Sequence, residues 1–112
     1  MSRKMQLTVT VTPVYSKDLE GDYPNLARAL EILDPQLVDA SPSFYELAGQ
    51  TDMLLYRHEG TRFSQVLARH KAALKDLYSK IQEQIADRNL ARADELLYQM
   101  EDIFDEIESG LD

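Results

Sequence analysis

Apolar residues recur at heptad spacing through the last half of the chain, residues 61–111, in two separate runs. Such spacing places one apolar stripe along each of two α-helices. The first run comprises Phe63, His70, Leu77 and Gln84 with Leu67, Leu74 and Ile81, and the second comprises Leu90, Leu97, Phe104 and Leu111 with Ala93, Met100 and Ile107. The sequence therefore predicts a long antiparallel α-helical hairpin.

The residues between and after the two runs fit helix ends. Asp87 or Asn89 can cap the second helix, because each side chain accepts a hydrogen bond from a backbone N–H that has no partner inside the helix. Gly110 is the glycine expected beyond a helix end. The turn is therefore expected between residues 86 and 90.

The N-terminal segment has a different period. Met5, Leu7, Val9 and Val11 alternate with polar residues, which is typical of a half-buried strand. Pro13 ends that pattern. Residues 1–14 are therefore predicted to hold one β-strand, and residues 15–24 a loop.

Residues 25–58 carry the signals of short helices. A helix over residues 25–33 is predicted to stop at Asp34, because a residue before proline avoids the α-helical region. Ser43 and Glu46 have the spacing of a capping box, which predicts a second helix over residues 44–58. Residues 53–56 remain open as a strand that pairs with the first one.

Together these elements give a mainly α fold with a minor α+β character. One N-terminal β-strand is followed by one or two short helices and then by the long C-terminal helical hairpin. The 112 residues are expected to form a single domain, which at this length buries roughly two-thirds of the surface that the unfolded chain exposes.

Composition excludes several classes of function. The chain has no cysteine, so it has no disulfide and no cysteine-based metal centre. Its net charge of −8 argues against direct nucleic-acid binding, which relies on Lys and Arg. No apolar run approaches the ~20 residues that span a bilayer. We therefore expect a cytoplasmic protein that does not bind a membrane.

The charges form two blocks along the hairpin. Residues 57–80 hold six bases and two acids, whereas residues 81–112 hold two bases and ten acids. In an antiparallel hairpin these blocks lie side by side, so we expect them to pair across the two helices. Glu101, Asp105 and Glu108 are the acids expected to remain on the outer side of the last helix.

Catalytic chemistry finds little support. His58-Glu59 begins like the zinc-protease pattern HExxH, but the second histidine is missing. His70 lies at a seam position, where a structural role is more common than metal binding. Carboxylate runs on an amphipathic helix usually form a solvated face. The sequence predicts no catalytic residue, no metal site and no cofactor.

The strand and the hairpin both indicate a protein partner. A lone strand leaves unpaired backbone groups that invite pairing with another strand, inside the chain or in a second protein. The hairpin also has a second apolar flank, formed by Val66, Ala73, Leu96 and Ile103, which either the N-terminal half or a partner must cover. The leading hypothesis is a non-enzymatic protein-binding module (an adaptor, assembly chaperone or regulator) that forms a homodimer.

Two other hypotheses compete with it. An acidic inhibitor that mimics DNA would need its surplus acids in phosphate-like rows on one exposed face. A small metal-dependent enzyme is less favoured and would need His58 and His70 to join carboxylates around an ion.

Overall fold

The computed structural model describes residues 19–39 and 42–112, and every regular element in those two ranges is an α-helix. The predicted mainly α fold is confirmed. The strand predicted within residues 1–14 lies outside the described residues. In chain order the helices are α1 (Leu19–Asp22), α2 (Pro24–Leu33), α3 (Pro35–Asp39), α4 (Phe44–Gly49), α5 (Thr51–Arg57), α6 (Arg62–Arg69), α7 (Lys71–Ala86) and α8 (Leu90–Gly110).

Helices α7 and α8 form the predicted hairpin and are the most extensively packed pair of helices in the described structure. Their seam residues Leu74, Ile81 and Met100 are fully buried. The turn reverses the chain through Arg88, whose φ of 60° lies in the left-handed region. Asn89 then caps α8 by accepting a hydrogen bond from the backbone N–H of Arg92. Of the two capping residues predicted, Asn89 caps α8, whereas Asp87 follows the end of α7.

The first helix of the hairpin was predicted to be continuous, and this is wrong at His70. There α6 ends and α7 begins, because the backbone N–H of His70 bonds the carbonyl of Leu67, three residues back rather than four. His70 is a half-buried polar residue at the heptad position that it shares with Phe63, Leu77 and Gln84. The break lets α6 pack against α5 and α8 as well as against α7.

The helix predicted over residues 44–58 is also divided. Its start is confirmed, because the Ser43 hydroxyl accepts from the Glu46 backbone N–H in the expected capping box. It breaks at Gln50, whose N–H bonds the carbonyl of Leu47 three residues back. The alternative of a strand over residues 53–56 is wrong, since those residues lie inside α5.

The stop predicted after the first short helix is confirmed at Asp34. Pro35 then opens α3, a position that suits proline because the first turn of a helix needs no N–H donor there. The loop predicted over residues 15–24 is wrong in its described part, where residues 19–22 form the helical turn α1.

The C-terminal part of α8 holds the N-terminal helices in place. Phe104 packs its ring against Tyr23 and Phe44, with ring centres 5.8 and 5.6 Å apart. One turn later, the Glu108 carboxylate accepts hydrogen bonds from the backbone N–H groups of Asn25 and Leu26, at 2.8 and 2.9 Å. A carboxylate is well placed at a helix N-terminus, where free N–H groups and the helix dipole favour negative charge. Glu108 is therefore the cap of α2.

Helix α4 docks on α7 through two tyrosines and a glycine. The rings of Tyr45 and Tyr78 stack with their centres 4.7 Å apart. A β-carbon at Gly49 would come within 2.7 Å of the Tyr78 ring, so only glycine allows this approach. Burial, followed by the nearby Tyr78 hydroxyl, raises the pKa of Tyr45 to about 12.

Replacing Glu108 with Gln should lower the free energy of unfolding by about 1–3 kcal/mol, because it removes the charge and one acceptor from the α2 cap. Urea denaturation measures the change. Asp105→Asn is the matched control, since it removes one charge from the preceding turn of α8 and Asp105 makes no ion pair with any described residue. Equal losses in both variants would contradict the capping role.

Alkaline pH should destabilise the fold through Tyr45. The unfolded chain releases this phenolic proton from about pH 10, whereas the folded chain retains it up to about pH 12. The stabilisation is therefore complete below pH ~10 and is lost as the pH rises through the folded pKa. Urea midpoints against pH should fall less steeply in Tyr45→Phe than in the wild type. Parallel profiles would contradict this assignment.

Candidate functional site

The second apolar flank predicted on the hairpin is mostly covered by the chain itself. Val66 and Leu96 are only 3% and 2% exposed and belong to the central hydrophobic cluster. Ile103 is half-buried against that cluster, and Ala73 alone of the four is exposed. The chain's own residues therefore cover Val66 and Leu96 in this fold.

The three acids expected on the outer side of the last helix have different surroundings. Glu108 caps α2, so its carboxylate is committed to the fold. Glu101 is half-buried. Asp105 is exposed and makes no ion pair with any other residue that the structure describes. The other predicted contact residues, Met5, Leu7, Val9 and Val11, lie outside the described residues.

The basic block does not neutralise α8 as expected. Lys71 and Lys75 instead reach Asp52 of α5, at 3.6 and 2.7 Å. The hydrogen bond from Lys75 is the main cause that lowers the pKa of Asp52. These lysines pair with α5 because that helix packs against α7.

Two more bases of the block also find partners away from the acids of α8. Lys80 pairs with Asp76 inside α7 at 2.8 Å, and Arg62 donates to the main-chain carbonyls of Gly110 and Asp112. Among the described ion pairs, His70 to Glu106, at 3.6 Å, is the one that joins the two blocks.

Four residues of α8 consequently form an exposed stripe, which we call the outer face: Asp94, Tyr98, Asp102 and Asp105. They lie at positions i, i+4, i+8 and i+11, so they share one side of the helix over about 17 Å. Tyr98 is 63% exposed. In the described part of the chain, none of the three carboxylates takes part in an ion pair or a side-chain hydrogen bond.

Neighbouring acids make the outer face electrostatically unfavourable by itself. Asp102 lies three residues from Asp105 and four from Glu106, and Asp105 lies four from Glu101. Like charges at such spacings destabilise a helix by about 0.2–0.5 kcal/mol per pair. Glu106 contacts His70 at 3.6 Å, whereas Asp102 and Asp105 make no ion pair within the described residues, so the repulsion between these two is not offset there. Locally unfavourable arrangements of this kind are expected at functional surfaces.

The sequence predicted only Asp105 of this face. Asp94, Tyr98 and Asp102 were missed, although the i, i+4, i+8 spacing is visible in the sequence. The three residues lie on the side of α8 opposite the buried Met100 and Phe104. Their exposure therefore follows from the packing of the other side of α8 into the core.

A second polar cluster lies where α5 meets the junction of α2 and α3. Asp34 receives a hydrogen bond from Arg57 at 2.9 Å, and His58 Nε2 lies 3.8 Å from the same carboxylate oxygen. His58 is buried, its ring meets Phe63 edge-on at 6.2 Å, and its Nε2 lacks a hydrogen-bond partner. The cluster fastens the end of α5 to the start of α3.

The histidines do not assemble a metal site within residues 19–39 and 42–112. His58 lies beside Asp34 and His70 beside Glu106, and no three His, Asp or Glu side chains converge in the described ranges. A cavity of about 10 Å³ lies in the core, lined only by apolar side chains of α2, α4, α5, α6 and α8. That volume is at the lower limit for one water molecule, which would find no polar partner there.

None of the helices that the structure describes combines the length and apolar character needed to cross a membrane. Comparison of the chain with protein-family models, with curated proteins and with solved structures finds no match. The candidate site is therefore defined by its own geometry.

Neutralising the outer face should stabilise the free protein. The Asp102→Asn, Asp105→Asn variant removes like-charge neighbours and should gain a few tenths of a kcal/mol per removed pair, about 0.2–0.5 each. The gain should shrink in about 1 M salt, where the Debye length is about 3 Å. Urea denaturation at low and high salt measures it.

Asp76→Asn is the matched control, because it breaks the pair with Lys80 and should slightly destabilise the protein. A destabilised outer-face variant would mean that these carboxylates have stabilising partners.

Proposed function

We propose that this protein is a non-enzymatic protein-binding module, acting in the cytoplasm as an adaptor, assembly chaperone or regulator, and that the outer face of α8 is its main contact surface. The observation that carries the proposal is Tyr98, a large aromatic side chain that is 63% exposed between Asp94 and Asp102, neither of which makes an ion pair with a described residue. Tyrosine is enriched at protein interfaces, where its ring supplies apolar contact area and its hydroxyl a hydrogen bond.

Other exposed side chains extend this surface toward the hairpin turn. Leu90, in the first turn of α8, is 49% exposed, and Ala91 beside it is exposed as well. Single exposed apolar residues are ordinary on a protein surface. Ala91 lies on the same side of α8 as Tyr98, and Leu90 lies about 80° further around the helix, so the two extend the contact region toward the turn.

The homodimer predicted from the sequence does not suit this face. Two copies of it would bring the same carboxylates together, which disfavours self-association. We therefore propose that any homodimer uses a different surface. The strand predicted at Met5, Leu7, Val9 and Val11 is the candidate for it.

A DNA-mimicking inhibitor is the second candidate, favoured by the carboxylates of Asp94, Asp102 and Asp105, which make no ion pair within residues 19–39 and 42–112. The spacing of the carboxylates along α8 argues against this candidate. Asp94 and Asp102 lie eight residues apart, which is about 12 Å along a helix, whereas phosphates follow one another every ~3.4 Å of axis along a DNA strand. Tyr98 occupies the gap. An aromatic residue between separated acids favours recognition of a protein segment over imitation of DNA.

The test replaces Tyr98 with the photo-crosslinking residue p-benzoylphenylalanine in the native host. The matched control places the same residue at Tyr56, an exposed tyrosine of α5. Irradiation should give a discrete protein adduct from position 98 and none from position 56. Mass spectrometry then identifies the partner.

No adduct at position 98, or the same adducts at both positions, would contradict the proposed surface. The DNA-mimic candidate requires the captured partner to be a DNA-binding protein whose adduct yield falls when double-stranded DNA is added. A yield that DNA leaves unchanged excludes that candidate.

A further inference from the structure

The outer face of α8 has a definite chemical pattern. Its carboxylates, Asp94, Asp102 and Asp105, lie on both sides of Tyr98 along about 17 Å of helix. Viewed down the axis, the four residues fall within an arc of about 80°, because each residue advances the helix by about 100°. One elongated ligand can therefore touch all four.

The charge of α8 restricts what that ligand can be. The helix contains seven acids and one base, Arg92, and that base is paired with Glu95 at 2.9 Å. Nucleic acids and anionic membrane surfaces would be repelled. A second copy of this face would be repelled for the same reason. Charge complementarity therefore favours a cationic partner for the outer face.

The exposed ring of Tyr98 favours a basic polypeptide over simple metal cations as the ligand of the outer face. An ammonium or guanidinium group over a tyrosine ring gains about 0.5–1 kcal/mol at an exposed site. The aliphatic stem of a Lys or Arg side chain can also lie along the ring while its charged end reaches a carboxylate. A basic side chain can thus contact the tyrosine ring and a carboxylate of the outer face at the same time.

We infer that the outer face of α8 binds a Lys- and Arg-rich segment of a partner protein, with basic side chains on Asp94, Asp102 and Asp105 and one of them over Tyr98. This inference rests on the proposed protein-binding function and specifies the partner's chemistry. Binding also relieves the repulsion among neighbouring acids of α8, since each basic side chain offsets a like-charge pair.

The experiment measures the affinity of the full chain for a short fluorescein-labelled peptide rich in Lys and Arg, by fluorescence polarisation. The outer-face variant is Asp94→Asn, Asp102→Asn, Asp105→Asn. The control variant is Glu31→Gln, Glu59→Gln, Glu83→Gln, which removes the same number of charges from exposed positions outside α8. The two variants therefore have the same net charge.

The outer-face variant should raise Kd about tenfold, and Tyr98→Ala about two- to fivefold, whereas the control variant should change it less than about twofold. Circular dichroism should show unchanged helicity in all three. Wild-type binding should weaken strongly in about 1 M salt.

Equal losses in the outer-face and control variants would overturn the inference, because they would show attraction to net charge alone. Failure of the wild type to bind the peptide would overturn it too. Either result leaves the crosslink at position 98 to decide the protein-binding function separately, so the two proposals fail independently.

Discussion

The arrangement of the helices depends on one carboxylate. Glu108, near the end of α8, accepts hydrogen bonds from the first free N–H groups of α2, which begins more than eighty residues earlier. The N–H groups at the start of α2 lie in a part-buried contact and need such a partner, because unpaired N–H groups away from water are costly. This contact closes the chain on itself and fixes the position of α2, whose Leu26 and Leu30 then fill the core.

The same stretch of α8 organises the apolar interior. Phe104, one turn before Glu108, touches Tyr23 and Phe44 and so joins the start of α2 and the start of α4 to the hairpin. The breaks at Gln50 and His70 let short helices wrap around this centre instead of running past it. The inner side of α8 is therefore dedicated to packing, and its outer side is left for solvent or a partner.

The packing of the helices also determines which charged side chains form ion pairs. Once α5 packs against α7, Asp52 becomes the nearest acid to Lys71 and Lys75. Long side chains pair with whichever acid is within reach, so Lys71 and Lys75 pair with α5 rather than with α8. Asp94, Asp102 and Asp105 consequently make no ion pair with any described residue, whereas Glu108 caps α2 and Glu106 contacts His70. The proposed recognition of a basic segment depends on those three aspartates.

Local sequence determined the hairpin, the capping box at Ser43, the cap at Asn89 and the stop at Asp34, because heptad spacing and capping act between residues close in the chain. Only the tertiary structure decided the breaks at Gln50 and His70, the burial of Val66 and Leu96, the role of Glu108 and the exposure of the outer face. Each of those depends on which distant helix comes within a few ångströms. The sequence alone allows the Glu108 carboxylate either to cap a helix or to face a partner. Because α2 packs against α8, this carboxylate caps α2.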